Sequence, residues 1–187
     1  MILLGSSSPT RAQILKDAGI AFVQKGSAFD EESLQEQDPI RFVYQATKGK
    51  FESVVRLYGT ALPILCADTV VVANKRILRK AKTIEEARAT LLEQSGNRVS
   101  IVTCLYYQDH RHTFIDLSAT HYDFAPFDRD ALEEYLQTRE WEGKAGACMV
   151  EGFCKSYIRQ VIGLESTAMG LQIEKVRPFL DDTALHA

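Results

Sequence analysis

Apolar positions along the chain alternate between unbroken runs and helical spacing, and this alternation predicts strands interleaved with helices. Ile2, Leu3 and Leu4 form a short buried run that ends at Gly5 and a serine cluster, after which Pro9 opens a helix ending near Gly19. Residues 20–24, IAFVQ, predict a second strand, and FDEES at 29–33 an acidic loop. Asp38-Pro39 begins a helix whose apolar positions Phe42, Val43, Ala46, Val54 and Leu57 lead to a stop at Gly59. PILCADTVVVAN at 63–74 is a β-branched run of the kind buried on both faces, interrupted only by Asp68-Thr69. Thr83-Ile-Glu-Glu86 is a capping box for a helix that reaches Gln94. Residues 99–108 and 112–124 predict a hairpin around Asp109 to Arg111, and Asp128 caps a further helix to Thr138. The polar loop EWEGKAGA follows. Residues 156–163, SYIRQVIG, read equally as strand or helix, and TAMGLQIEKVRPFL predicts a closing helix that runs across Gly170. About seven strands among about five helices imply an α/β domain built on a mixed sheet.

Composition narrows this picture. At 187 residues the chain fits a single domain over 1–187, and an apolar share of 45% supplies a core. Lysine and arginine number 22 against 25 aspartates and glutamates, so a net charge of −3 gives neither a nucleic-acid groove nor a basic membrane face. No apolar stretch has the length of a signal peptide or a membrane helix, which gives the expectation of a cytoplasmic protein. Cys66, Cys104, Cys148 and Cys154 lack C-x-x-C spacing, so they are expected to be reduced, mostly buried thiols rather than metal ligands.

Candidate chemistry concentrates at a few points. Ser6 to Ser8 lie between strand and helix with Pro9 at the helix start, and with Arg11 they can cradle an anion at the helix N-terminus. The same serines also serve as an ordinary helix cap. Asp68 is a carboxylate in an apolar strand, a position that is costly unless the group is paired or faces a cleft, and Thr69 adds a hydroxyl beside it. The alternative is an aspartate that only binds backbone N–H groups. Lys80, ahead of the capping box, and Lys144, in a glycine-rich turn, are cations that reach a phosphate or simply face water.

Together these segments resemble the Maf proteins. SSSPTRAQIL at 6–15, DEE at 30–32, Lys50, ADTVV at 67–71, Lys80, Ser95-Gly96 and above all Glu140-Trp-Glu-Gly-Lys144-Ala-Gly-Ala stand in the family's order and spacing, from Gly5 to about Val176. The resemblance implies an elongated mixed sheet with surrounding helices and a deep cleft between two lobes, as in the inosine triphosphate pyrophosphatases. It also implies hydrolysis of a nucleoside triphosphate, including modified ones, to monophosphate and pyrophosphate with Mg2+ or Mn2+. Asp68 would then be the general base, with Lys50 and Lys80 beside it, and Glu31 and Asp68 would hold the metal. Ser6, Ser8, Thr10, Arg11, Thr69, Glu140, Lys144 and Glu151 would bind substrate. A homodimer, with no nucleic-acid or membrane partner, is also expected.

The chain departs from the family at several points. It has Thr10 where members usually carry a basic residue or tryptophan, Arg79-Lys80-Ala81 for Gly-Lys-Pro, Gly143 for an aspartate, and Gly170-Leu171-Gln172 for Gly-Leu-Pro. Thr69 matches the branch that prefers pyrimidine triphosphates and Glu151 the branch that prefers 7-methyl-GTP, which leaves the base open. Because family members are associated with septum formation, a nucleotide-binding regulator of weak turnover is the alternative to an enzyme. The chain has no G-x-x-x-x-G-K-[ST] segment, so a P-loop NTPase is not indicated.

Overall fold

The long apolar run becomes the axis of the molecule. In the computed structural model, which describes residues 1–148 and 150–182, it forms β3 (Ile64–Ala73), every residue of which pairs with β5 (Arg98–Gln108) in antiparallel register. On the other edge of β3 lies β1 (Ile2–Gly5), which runs parallel to it and carries β2 (Phe22–Lys25) outside. Beyond β5 come β6 (Thr113–Phe124) and β7 (Ile158–Ile162), so the sheet order is β2-β1-β3-β5-β6-β7. A short strand the pattern did not reveal, β4 (Arg76–Leu78), folds back on β3 from Val71 to Ala73. Three residues carry too little alternation to read as a strand before the turn at Asn74-Lys75 is known.

Strand register divides the side chains of β3 and β5 between two faces. One face, with Cys66, Asp68, Val70, Val102 and Cys104, is covered by α2 (Pro39–Tyr58), whose Phe42, Val43, Ala46 and Val54 pack on it. The other face is covered at one end by α1 (Pro9–Asp17) and the closing helices, through Ile14, Leu15, Leu171 and Val176 against Leu65, Leu105 and Tyr107. At its other end lie α3 (Ile84–Gln94) and α4 (Arg129–Thr138), through Leu91, Leu132 and Leu136. Caps place these helices as the sequence predicts: Ser8, Asp38, Thr83 and Asp128 each accept from a backbone N–H three residues on.

Two expectations are corrected. The closing helix is broken into α5 (Glu165–Ala168) and α6 (Ile173–Asp182), because Gly170 adopts φ +94 and the chain turns there. Cys148 and Cys154, expected as reduced thiols, are joined in a disulfide, since their Cα atoms, six residues apart, stand 6.5 Å from one another, within disulfide reach. Cys66 and Cys104 are free and buried, as expected. Residues 158–162, just after the 3-10 turn Phe153–Tyr157, resolve the ambiguous segment as strand. Among the described residues no helix is long and apolar enough to cross a membrane.

One break in the sheet matters for chemistry. Along one edge of β3, β1 pairs only as far as Leu65 and β4 begins only at Val71. Among the described residues no strand covers the stretch between, which holds Asp68 and Thr69.

Candidate active site

The opening beside Asp68 is a cleft of about 590 Å³, walled by the serine loop, the acidic segment after β2, and Lys50 and Lys80. Each wall has a local cause. β1 ends at Gly5 and the chain turns through Ser6 to Ser8 into α1, where Ser6 Oγ accepts from the Ser8 N–H at 3.2 Å and Ser8 Oγ caps the helix at the Arg11 N–H, 3.3 Å. The serine loop therefore both caps the helix, through Ser8, and faces the cleft. From β2, Gln24 Nε2 donates to the Ser6 and Ser8 carbonyl oxygens at 2.8 and 3.1 Å, which pins the loop.

Arg11 is the most enclosed cation of the cleft, 9% exposed. Its Nε donates to the Gly170 carbonyl oxygen at 2.7 Å, Nη1 to Ser6 Oγ at 3.1 Å and Nη2 to Thr69 Oγ1 at 3.0 Å. Burial lowers its pKa from the ordinary arginine value, while Asp68, Cys66 and Glu31 oppose that shift. A Cβ at Gly170 would stand 3.0 Å from Thr69 Oγ1 and 3.3 Å from Arg11 Nη2, so only glycine suits this crossing.

Asp68 projects from the opposite face of β3, toward α2, and is 7% exposed. Its basic partner comes from the helix packed on that face. Lys50, on α2, donates from Nζ to Asp68 Oδ1 at 2.6 Å and to Glu31 Oε2 at 2.5 Å, so one ammonium joins two carboxylates. Glu31 lies in a single 3-10 turn, Glu31–Ser33, capped by the Asp30 carboxylate at the Glu32 N–H. Phe29, just ahead of it, seats that segment on α2 at Gly49, where a Cβ would come within 2.3 Å of the ring.

The two carboxylates differ in their electrostatics. Burial raises the Asp68 pKa above the usual carboxylate range, and Glu31 adds to this against the opposing pull of Lys50. Burial raises Glu31 too, but its bond to Lys50, with Lys80 and Arg11 further off, outweighs that and leaves it below the usual range. A base with a raised pKa beside an acid that stays ionised is an arrangement suited to proton transfer.

Lys80 follows β4 and lines the cleft, and its backbone bridges to Ala145 of the glycine-rich loop. The Arg79 carbonyl oxygen accepts from Gly146 N–H at 3.3 Å, the Arg79 guanidinium lies 5.0 Å from the centre of the Phe42 ring, and Gln94 Nε2 donates to the Gly146 carbonyl oxygen at 2.6 Å. Lys80 is thus fixed between α2, which also carries Lys50, and the 144–147 loop.

The structure brings Ser6, Ser8, Arg11, Glu31, Lys50, Asp68, Thr69 and Lys80 together, directly or through one hydrogen bond. It does not bring the remaining four to the cleft walls. Thr10 is exposed on α1, and the Lys144 ammonium bonds the backbone carbonyl oxygen of Glu140 in its own loop. Glu151 is exposed, with the Tyr122 ring near enough that burial and then the Glu151 charge raise the Tyr122 pKa. Gln24 and Thr103 support the site without a charge or a motif of their own, so no sequence signal marks them, while Gly170 entered only as part of a family segment.

A concave site with cations around two carboxylates suits a polyphosphate: cations and backbone N–H groups hold the oxygens, and a carboxylate takes a proton from water. Comparison with known proteins agrees in kind. The model of a family described as Maf-like protein matches residues 1–183. A nucleoside triphosphate pyrophosphatase of a Nitratiruptor species is 53% identical over 184 residues, covering 97% of this chain and 100% of that one. A protein of the same name from Helicobacter pylori is 40% identical over 173 residues, with 92% and 91% covered. Another from Campylobacter jejuni is 34% identical over 183 residues, with 96% and 100% covered.

Proposed function

The chain belongs to the Maf family, and on that premise we propose that it is a nucleoside triphosphate pyrophosphatase that hydrolyses its substrate by attack of water at the α-phosphate. The observation that carries this reading is the pairing of buried Asp68 with Lys50 and Glu31 at the open edge of β3, within the same cleft as Arg11 and Lys80. Asp68 accepts the proton of the attacking water. Its Oδ1 is held by Lys50, which leaves Oδ2 outside that bond to do so. General-base catalysis of this kind is worth about 10² to 10⁴ in rate. Arg11, with the Ser6 to Ser8 loop at the start of α1, receives the triphosphate oxygens, and Lys80 meets the charge that develops on pyrophosphate as it leaves.

The donor set also fits a divalent cation such as Mg2+ or Mn2+. Glu31 Oε1 is a hard oxygen donor outside the Lys50 bond, with the Asp68 carboxylate beside it, and a small dication is commonly held by one or two carboxylates plus substrate phosphates. Glu31 and Asp68 would hold it, and when bound it would neutralise phosphate charge.

Release of pyrophosphate from a panel of nucleoside triphosphates, with and without Mg2+ or Mn2+, tests the reading. Wild type is expected to release pyrophosphate, and Asp68→Asn, which keeps the shape and removes the base, to lose at least about a hundredfold in kcat while still binding triphosphate. An Asp68→Asn variant within about threefold of wild type would remove Asp68 from the role of base.

A further inference from the structure

Arg11 is held by a chain of hydrogen bonds that leaves the cleft and enters the core. Arg11 Nη2 donates to Thr69 Oγ1 at 3.0 Å, Thr69 Oγ1 lies 2.8 Å from Thr103 Oγ1, and Thr103 Oγ1 donates to the Thr167 carbonyl oxygen at 2.7 Å. The two ends fix the direction. A guanidinium only donates and a carbonyl oxygen only accepts, while each hydroxyl has one hydrogen to give. The hydrogen of Thr103 is committed to Thr167, so the contact between the two threonines uses the hydrogen of Thr69. Thr69 therefore meets Arg11 with a lone pair.

Thr103 is well placed to enforce this. It is fully buried in β5, directly opposite Thr69 in the ladder. Its backbone is tied from behind by Gln172, also fully buried, whose Nε2 donates to the Thr103 carbonyl oxygen at 3.2 Å and to Asp116 Oδ2 at 2.9 Å. Asp116 in turn bonds Lys175 of α6 at 2.8 Å, so the chain is anchored in the closing helix. Gln172 stands where the family resemblance leads one to expect proline, which has no side-chain donor for this anchor.

We propose that Thr103 is a positioning residue for anion recognition: by accepting the hydroxyl hydrogen of Thr69 it keeps Thr69 an acceptor for Arg11 and so aims the guanidinium at the phosphate chain. The proposal rests on reading the cleft as a triphosphate site. Of the five N–H hydrogens of Arg11, three serve Gly170, Ser6 and Thr69, which leaves two for an anion. If the Thr69 hydroxyl were free to rotate, its hydrogen could face the guanidinium, donor against donor, and the aim of those two would be lost. Such a loss weakens ground-state and transition-state binding alike, so it appears in KM and not in kcat.

Three variants, Thr103→Val, Thr103→Ser and Thr103→Cys, test this by steady-state kinetics on the best nucleoside triphosphate and by calorimetric binding of inorganic tripolyphosphate. Thr103→Val, near in shape and without a hydroxyl, is expected to raise both KM and the tripolyphosphate Kd about tenfold, with kcat within about threefold of wild type. Thr103→Ser restores the hydroxyl and is expected to bring both constants back to within about threefold. Equal rises for valine and serine would assign the effect to lost packing and overturn the proposal, as would a folded Thr103→Val protein with wild-type Kd. Should Thr103→Val not fold, Thr103→Cys carries the same test, since sulfur is a weak acceptor of nearly the same bulk: a rise in Kd that serine does not share supports the proposal, and no rise overturns it. Wild type that binds tripolyphosphate but releases no pyrophosphate from any nucleotide contradicts the enzymatic reading, while the Kd series still decides the role of Thr103.

Discussion

Lys50 is the residue on which the proposed chemistry turns, because it is the only side chain bonded to both Glu31 and Asp68 among the described residues. Without it two carboxylates would face one another in a partly dry site, and Asp68, already raised by burial, would be driven further toward its neutral form. Lys50→Met is therefore expected to cost at least about a hundredfold in kcat at neutral pH, the scale of losing one preorganised charge at a reacting centre. Steady-state turnover measures it, and a variant within about threefold of wild type would make Lys50 a merely structural lysine. Asp68 was legible in the sequence because a carboxylate inside ILCADTVVV breaks the pattern of its own strand. Lys50 was not legible from pattern alone, since a lysine on a helix looks like any solvated lysine and its partners lie 18 and 19 residues away. It entered through the family resemblance. Thr103 carried no signal at all, because threonine is an ordinary strand residue and only the pairing of β3 with β5 sets it against Thr69.

At the scale of elements, helix boundaries were the most legible feature, because capping residues announce them and the structure uses Ser8, Asp38, Thr83 and Asp128 as caps. The breaks were least legible. Gly170 ends one helix for the sake of a close crossing over Thr69 and Arg11, a tertiary reason that helical spacing does not record. The β5–β6 turn, read correctly, yields a pH prediction. Asp109 is 4% exposed in its side chain and accepts from the Arg111 and His112 N–H groups at 2.7 and 2.6 Å and from Tyr107 Oη at 2.9 Å. Burial alone would raise its pKa, but these bonds prevail and bring it from 3.8 down to about 2. A depressed folded-state value means the turn adds stability that is complete above about 3.8, shrinks as pH falls below that, and is gone once pH passes below about 2. The full contribution is about 2 kcal/mol. Urea unfolding of Asp109→Asn against wild type should show a deficit of that order at pH 7 that narrows between about pH 4 and about pH 3. A deficit independent of pH would mean the turn is held by something other than the Asp109 charge.

At the scale of the whole molecule, the site exists because the sheet is incomplete on one side. β1 stops, β4 starts late, and the uncovered stretch of β3 presents Asp68 to one face and Thr69 to the other. Lys50 and Glu31 meet the first, Arg11 the second, and Lys80 arrives along β4. The alternation of apolar runs was enough to predict a mixed α/β sheet, but this gap depends on a three-residue strand invisible to periodicity and on where β1 ends. In the proposed reaction water enters at the α-phosphate, where a base beside the cations can reach it. Hydrolysis of the best nucleoside triphosphate in 18O-labelled water tests this most directly, by mass spectrometry of the products. The heavy oxygen is expected in the nucleoside monophosphate, with the pyrophosphate unlabelled. Label in pyrophosphate, or in inorganic phosphate released in its place, would contradict the account.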